Sequence, residues 1–76
     1  MIKEKTDKMI EDLMLVTEKG NVYSRVINDT EKALIEKTLK RSFGNQSIAS
    51  KILGINRNTL RMKIKRLNID VKKFRI

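Results

Sequence analysis

Residues 44–67, GNQSIASKILGINRNTLRMKIKRL, decide how this chain folds. They hold two short helical patterns divided by Gly54. Asn45 is a good N-cap, because its short side chain accepts from the N–H groups that a helix start leaves unpaired. About two turns follow, with Ile48, Ala49, Ile52 and Leu53 on the inner side, and Gly54 ends them. Asn56 then caps a second helix running to about Leu67. Ile55 precedes that cap and Leu60 stands at the fourth helical position. The pair makes a hydrophobic staple, which sets the angle at which the chain enters the helix. Two short helices joined by a glycine-containing turn of three or four residues form a helix-turn-helix. Its physical demands are met. Ala49 and Ser50 are small where the helices must cross closely, and Gly54 tolerates the positive φ of the turn. Leu60, Ile64 and Leu67, at i, i+4 and i+7, give the second helix one stripe to bury.

The opposite face of that helix carries the chemistry. At 100° per residue, turning Leu60, Ile64 and Leu67 inward turns Asn58, Met62 and Lys65 outward, with Arg61 and Arg66 flanking them. A helix fits the DNA major groove, where arginine pairs bidentately with guanine and asparagine with adenine. Residues near the N-terminus of such a helix reach base edges. The expected base contacts are therefore Asn56, Arg57, Asn58, Arg61 and Met62. Lys63, Lys65 and Arg66 lie further along or to the side and are expected at phosphates. The helix beginning at Asn45 can aim backbone N–H groups at a phosphate, helped by Gln46 and Ser47.

Upstream, apolar residues recur at helical spacing from Ile2 to Lys19, and Gly20 stands where a left-handed cap is expected. A second helix, capped by Asn21, runs through Tyr23, Val26, Ile27, Leu34, Ile35 and Leu39 to Phe43, and Gly44 closes it. Asn28, Asp29 and Thr30 are weak helix formers in its middle and mark a place to bend or break. The reading is all-α: a four-helix subunit with dimerisation helices over 1–43, the helix-turn-helix over 44–69 and a basic tail over 70–76. Lys72, Lys73 and Arg75 of the tail attract DNA without reading it.

The charge pattern agrees with this division. The 76 residues carry a net +9, yet residues 1–38 have seven basic and eight acidic side chains, whereas residues 39–76 have eleven basic and one acidic. Such one-signed density repels itself unless a polyanion offsets it. The first half also has too little chain to bury Met9, Ile10, Leu13, Met14, Tyr23, Val26, Ile27 and Leu34 within one subunit. Pairing two copies buries them and sets two recognition helices about 34 Å apart, one turn of B-DNA, over a palindrome.

Gly44–Leu67, and above all LGINRNTLR at Leu53–Arg61, resembles the DNA-binding region of Fis-type proteins and of NtrC-type sigma-54-dependent activators of bacteria. Asn21–Phe43 matches more loosely. The resemblance implies a homodimer on double-stranded DNA, each subunit presenting its helix-turn-helix. It places Asn45, Gln46 and Ser47 at backbone-contacting positions, and Asn56, Arg57, Thr59 and Lys63 at DNA-contacting positions, with Arg57 reading guanine. The family usually has Lys or Arg where this chain has Met62, which leaves that position an apolar contact with a thymine methyl. In a full-length activator, sigma-54 RNA polymerase would be engaged through domains absent here. The expected place is the cytoplasm, at the nucleoid.

Other functions have less to stand on. Without His or Cys there is no imidazole triad and no Cys/His zinc site. No P-loop motif is present, and neither catalysis, cofactor nor metal is expected. No apolar run is long enough to span a membrane. A free-standing Fis-like nucleoid protein that bends DNA is the same-class alternative. A basic helical RNA-binding or protein-dimerisation module is the alternative of another class. For RNA, stacking has poor support, since Tyr23, Phe43 and Phe74 all lie off the basic helix.

Overall fold

The last three α-helices of the chain are each closed by a residue with left-handed backbone. In the computed structural model, which describes residues 2–75, the order is α1 (Ile2–Val16), α2 (Val22–Arg41), α3 (Gln46–Leu53), α4 (Arg57–Arg66) and a 3-10 turn (Val71–Phe74). The described residues contain no strand, so the all-α expectation holds. The chain forms two compact units, one up to Thr30 and one from Glu31 onward.

In the first unit α1 stops at Val16, earlier than the expected Lys19. The β-branched Val16 and Thr17 are poor helix formers, and Asn21 N–H already turns back to the Glu18 carbonyl at 3.0 Å. Met9, Ile10 and Leu13 of α1 and Val22 and Val26 of α2 are half-buried, and no described side chain before Glu31 is fully buried. Met14, Leu15, Val16, Tyr23 and Ile27 are exposed. Helix α2 runs unbroken through Asn28, Asp29 and Thr30, where a bend or break was expected. An exposed i,i+4 pair, Arg25 Nε to Asp29 Oδ2 at 3.0 Å, spans that region. Such pairs contribute only a few tenths of a kcal/mol, about 0.2–0.5.

The second unit is built on three successive helix ends of one kind. Gly44 N–H donates to Leu39 O at 2.8 Å, Ile55 N–H to Ser50 O at 3.0 Å and Ile69 N–H to Ile64 O at 3.0 Å. In each case the preceding residue has positive φ: Phe43 at 53°, Gly54 at 73° and Asn68 at 56°. These are Schellman motifs, in which the N–H of the left-handed residue and the N–H after it satisfy carbonyls of the last turn. The sequence reading closes α2 with Gly44. The left-handed cap residue is in fact Phe43, and Gly44 follows it, also at positive φ.

The core consists of Ile35, Leu39, Ala49, Leu60, Ile64 and Ile69, with Leu53, Ile55, Leu67, Val71 and Phe74 packed against it. Ile55 therefore completes the cap of α3 and, as the residue before Asn56, helps to aim α4. That double duty holds the turn between α3 and α4. Ala49 and Ser50 are buried as expected, but Ile48 and Ile52 are exposed rather than inward. An eight-residue helix crossing closely over Ala49, Ser50 and Leu53 presents a narrow stripe, and positions 48 and 52 lie about 100° around from it. The buried Thr38 and Ser50 hydroxyls each donate to a carbonyl of their own helix at 2.8 Å, so neither costs a lost hydrogen bond.

The segment after α4 differs from the basic tail expected for it. Ile69 is buried, Val71 and Phe74 join the core, and Asp70 Oδ1 accepts from Lys72 N–H at 3.1 Å to start the 3-10 turn. Its alternation of apolar and basic residues anchors one side while leaving Lys72, Lys73 and Arg75 exposed.

Candidate nucleic-acid interface

The outer face of α4 is laid out by what its inner face hides. Leu60 is fully buried and Ile64 nearly so. Their placement leaves Arg57, Asn58, Thr59, Arg61, Met62, Lys65 and Arg66 exposed. Asn58, Arg61, Met62 and Lys65 together line a shallow depression on that face. Met62 is 72% exposed, too open to be a core residue.

The start of α3 lies alongside. Asn45, Gln46 and Ser47 share an open groove with Arg57 and Arg61 of α4, with Phe43 and Gly44 of the preceding turn and with Arg75. The structure thus brings together residues expected at the DNA backbone and residues expected at bases. Both asparagine caps are occupied by their own helices. Asn45 Oδ1 accepts from Ile48 N–H at 3.1 Å, and Asn56 Oδ1 from Asn58 N–H at 2.7 Å. In each the cap uses one lone pair of the oxygen and neither hydrogen of the NH2 group.

Lys63 and Arg66 form a different edge. With Thr59 and Met62 they line a second shallow depression, and both donate to the carboxylate of Glu31 on α2. Sequence reading missed Glu31, because it lies 32 residues from Lys63 and 35 from Arg66. No local spacing rule reaches that far. The Lys63 hydrogen bond is the main reason the Glu31 carboxyl is held below its usual range, with partial burial opposing and Arg66 assisting. Of the expected phosphate-contacting cations, Lys65 lies away from this clamp, whereas Lys63 and Arg66 are shared with it.

Electrostatics favour an anionic partner. Between Glu36 and Asp70 the chain has no acidic residue. None of the described residues lining the α3–α4 groove is acidic. Among the described residues there is no cluster of acids able to hold a metal, and no helix is long and apolar enough to cross a membrane.

The profile of the bacterial regulatory protein Fis family matches residues 26–67, more than half of the chain and the whole of the α3–α4 motif. The chain belongs to the Fis family. Among its Fis-family relatives, the DNA-binding protein Fis of Buchnera aphidicola is 36% identical over 67 residues, covering 83% of this chain and 68% of that protein. A Neisseria meningitidis protein described as a Fis-like DNA-binding protein is 41% identical over 63 residues, covering 83% and 78%. The DNA-binding transcriptional regulator NtrC of Azospirillum brasilense is 48% identical over 52 residues, which make up 68% of this chain but only 11% of that regulator. No solved structure matches the chain.

Proposed function

We propose that this Fis-family chain is a sequence-specific binder of double-stranded DNA that works as a homodimer and without catalysis. One observation carries the proposal: α4 buries Leu60 and Ile64 and exposes Asn58, Arg61, Met62 and Lys65 beside the groove holding Arg57. That is the side-chain set and the geometry that major-groove recognition needs. Arg57, Asn58 and Arg61 read bases, Met62 and Asn56 border them, and Gln46, Ser47, Asn45, Thr59 and Lys65 set register on phosphates. Lys63 and Arg66 reach phosphates at the edge that Glu31 holds.

The homodimer rests on the open apolar face of the first unit. Met14, Tyr23 and Ile27 are each at least 45% exposed there, and Leu34, in the second unit, is 54% exposed. Met9, Ile10, Leu13 and Val26 of the same first unit are half-buried. A second copy is the partner that covers this face and sets two α4 helices on one palindrome.

The finer reading is the DNA-binding module of an NtrC-type sigma-54-dependent activator, holding it at an enhancer in the cytoplasm while absent domains engage sigma-54 RNA polymerase. The 48% identity to NtrC supports it. Coverage of 78% of the Neisseria protein favours a second reading, a Fis-like nucleoid protein that bends DNA. An open reading frame continuing upstream of the Met1 codon into a P-loop domain identifies the activator. A circular-permutation gel assay measures bending.

Selection of binding sites from random duplexes tests the proposal itself. The expected result is a palindrome with half-sites one helical turn apart. Recovery of no preferred sequence refutes it.

A further inference from the structure

The helix-turn-helix does not by itself account for residues 69–75. Their apolar members Ile69, Val71 and Phe74 anchor in the core, and the Lys73 ammonium lies 3.8 Å from the Glu36 carboxylate on α2. This docking brings Arg75 against the turn between α2 and α3. A Cβ on Gly44 would stand 2.7 Å from Arg75 Cγ and 3.4 Å from its backbone nitrogen. Only a residue without a side chain allows that approach, and the left-handed φ of 78° at Gly44 favours glycine for a second reason.

The consequence is electrostatic. Arg75 joins Arg57 and Arg61 in the groove that begins at Gln46 and Ser47, with no carboxylate among the described lining residues. Three guanidinium groups in one groove repel one another unless an anion lies between them. The guanidinium fork matches a phosphate in a planar, two-point arrangement. The short 3-10 segment is tied to the core at both its apolar positions, so little chain entropy opposes presenting Arg75 there.

We infer that Arg75 is a DNA-binding residue, gripping a backbone phosphodiester in the groove where the start of α3 meets α4, and that residues 69–75 are the arm that delivers it. The inference rests on the DNA-binding reading above. It makes the C-terminal segment a third structural part of the interface, beside α3 and α4. Because a phosphate carries no base identity, Arg75 sets affinity and register rather than sequence preference.

The test is a fluorescence-anisotropy titration of the full chain against a duplex carrying the selected site, repeated over a salt series. Arg75→Ala is expected to weaken binding by about tenfold at fixed salt and to flatten the slope of log K against log salt by about one. It should leave the ranking of single-base variants of the site unchanged. Arg75→Lys, which keeps the charge and loses the fork, should restore the slope and only part of the affinity. Arg75 is exposed, so the fold should survive, as unchanged circular dichroism would verify. An Arg75→Ala protein with wild-type affinity and slope overturns the inference alone, and so does a changed ranking of site variants. A wild-type chain that fails to bind the duplex overturns the DNA-binding reading beneath it.

Discussion

Replacing Glu31 by glutamine removes a carboxylate of α2 that pairs with Lys63 and Arg66 of α4. The Glu31 side chain is 22% exposed, that of Lys63 32% and that of Arg66 51%, so water screens both pairs. Ion pairs this accessible contribute about 0.2–1 kcal/mol each, and the two together about 1 kcal/mol. For a chain of this size that corresponds to a fall in Tm of about 4–8 °C. The pH dependence has a definite sign. The folded pKa of Glu31 is lowered from an unfolded value of 4.5, so its contribution is complete above that value and disappears as pH falls through the folded one. The Tm gap between wild type and Glu31→Gln should therefore be widest near neutrality and close on acidification.

DNA binding should move the opposite way. Releasing Lys63 from Glu31 and removing a negative charge beside both cations should raise affinity about threefold at fixed salt. The salt dependence should steepen by about 0.9 for each cation newly set on a phosphate. Thermal unfolding by circular dichroism, at one protein concentration because dimerisation makes Tm concentration-dependent, measures the first effect. Anisotropy titration over a salt series measures the second. A Tm gap that stays unchanged as acid titrates the carboxylates of the folded protein would show that the carboxylate charge is not the source of the stability. Weaker binding by Glu31→Gln would show that Glu31 positions the two cations for DNA rather than competing for them.

The remaining predictions concern the turns, the readout and the dimer. Gly54→Ala meets nothing within 4 Å but must hold φ at 73°, whereas Gly44→Ala adds the collision with Arg75. Chemical denaturation should show a loss of about 1 kcal/mol for the first and at least about 2 for the second, and equal losses would remove the argument for close approach at Gly44. Phe43→Gly should stabilise by about 0.5–1 kcal/mol, since Phe43 is 62% exposed and holds a left-handed conformation that glycine adopts freely. A lowered Tm would mean its ring contributes more than its exposure implies. Arg57→Ala should cost about 1–3 kcal/mol of specific binding and relax one base position, while Lys65→Ala should weaken all duplexes alike and reduce the salt slope by about one. Swapped outcomes in a site-variant panel would reverse the two assignments. Ile27→Asp with Leu34→Asp should convert a dimer to a monomer in sedimentation velocity, and an undisturbed dimer would place the interface elsewhere.

Much of the architecture was legible in the residues because it depends on contacts a few positions apart. Asn45 and Asn56 cap the helices that follow them, Gly54 takes the left-handed turn, and Leu60 and Ile64 face inward, each dictated by backbone hydrogen bonding or by helical period. The outward set on α4 followed from the same period. Local rules failed where packing chose among acceptable options. Asn28–Thr30 stayed helical because a weak propensity is overridden within a long helix. Ile48 and Ile52 turned outward because a close crossing accepts only a narrow stripe.

The residues alone determined that a one-sided basic helix follows a glycine turn, since hydrogen bonds and side-chain period act between neighbours in the chain. Only the tertiary structure decided which cations are available and which are shared. Glu31 reaches Lys63 and Arg66 across more than 30 residues, and the anchoring of Ile69, Val71 and Phe74 carries Arg75 to the groove of α3 and α4. Coulomb forces depend on distance in space, and that distance is set when the core closes.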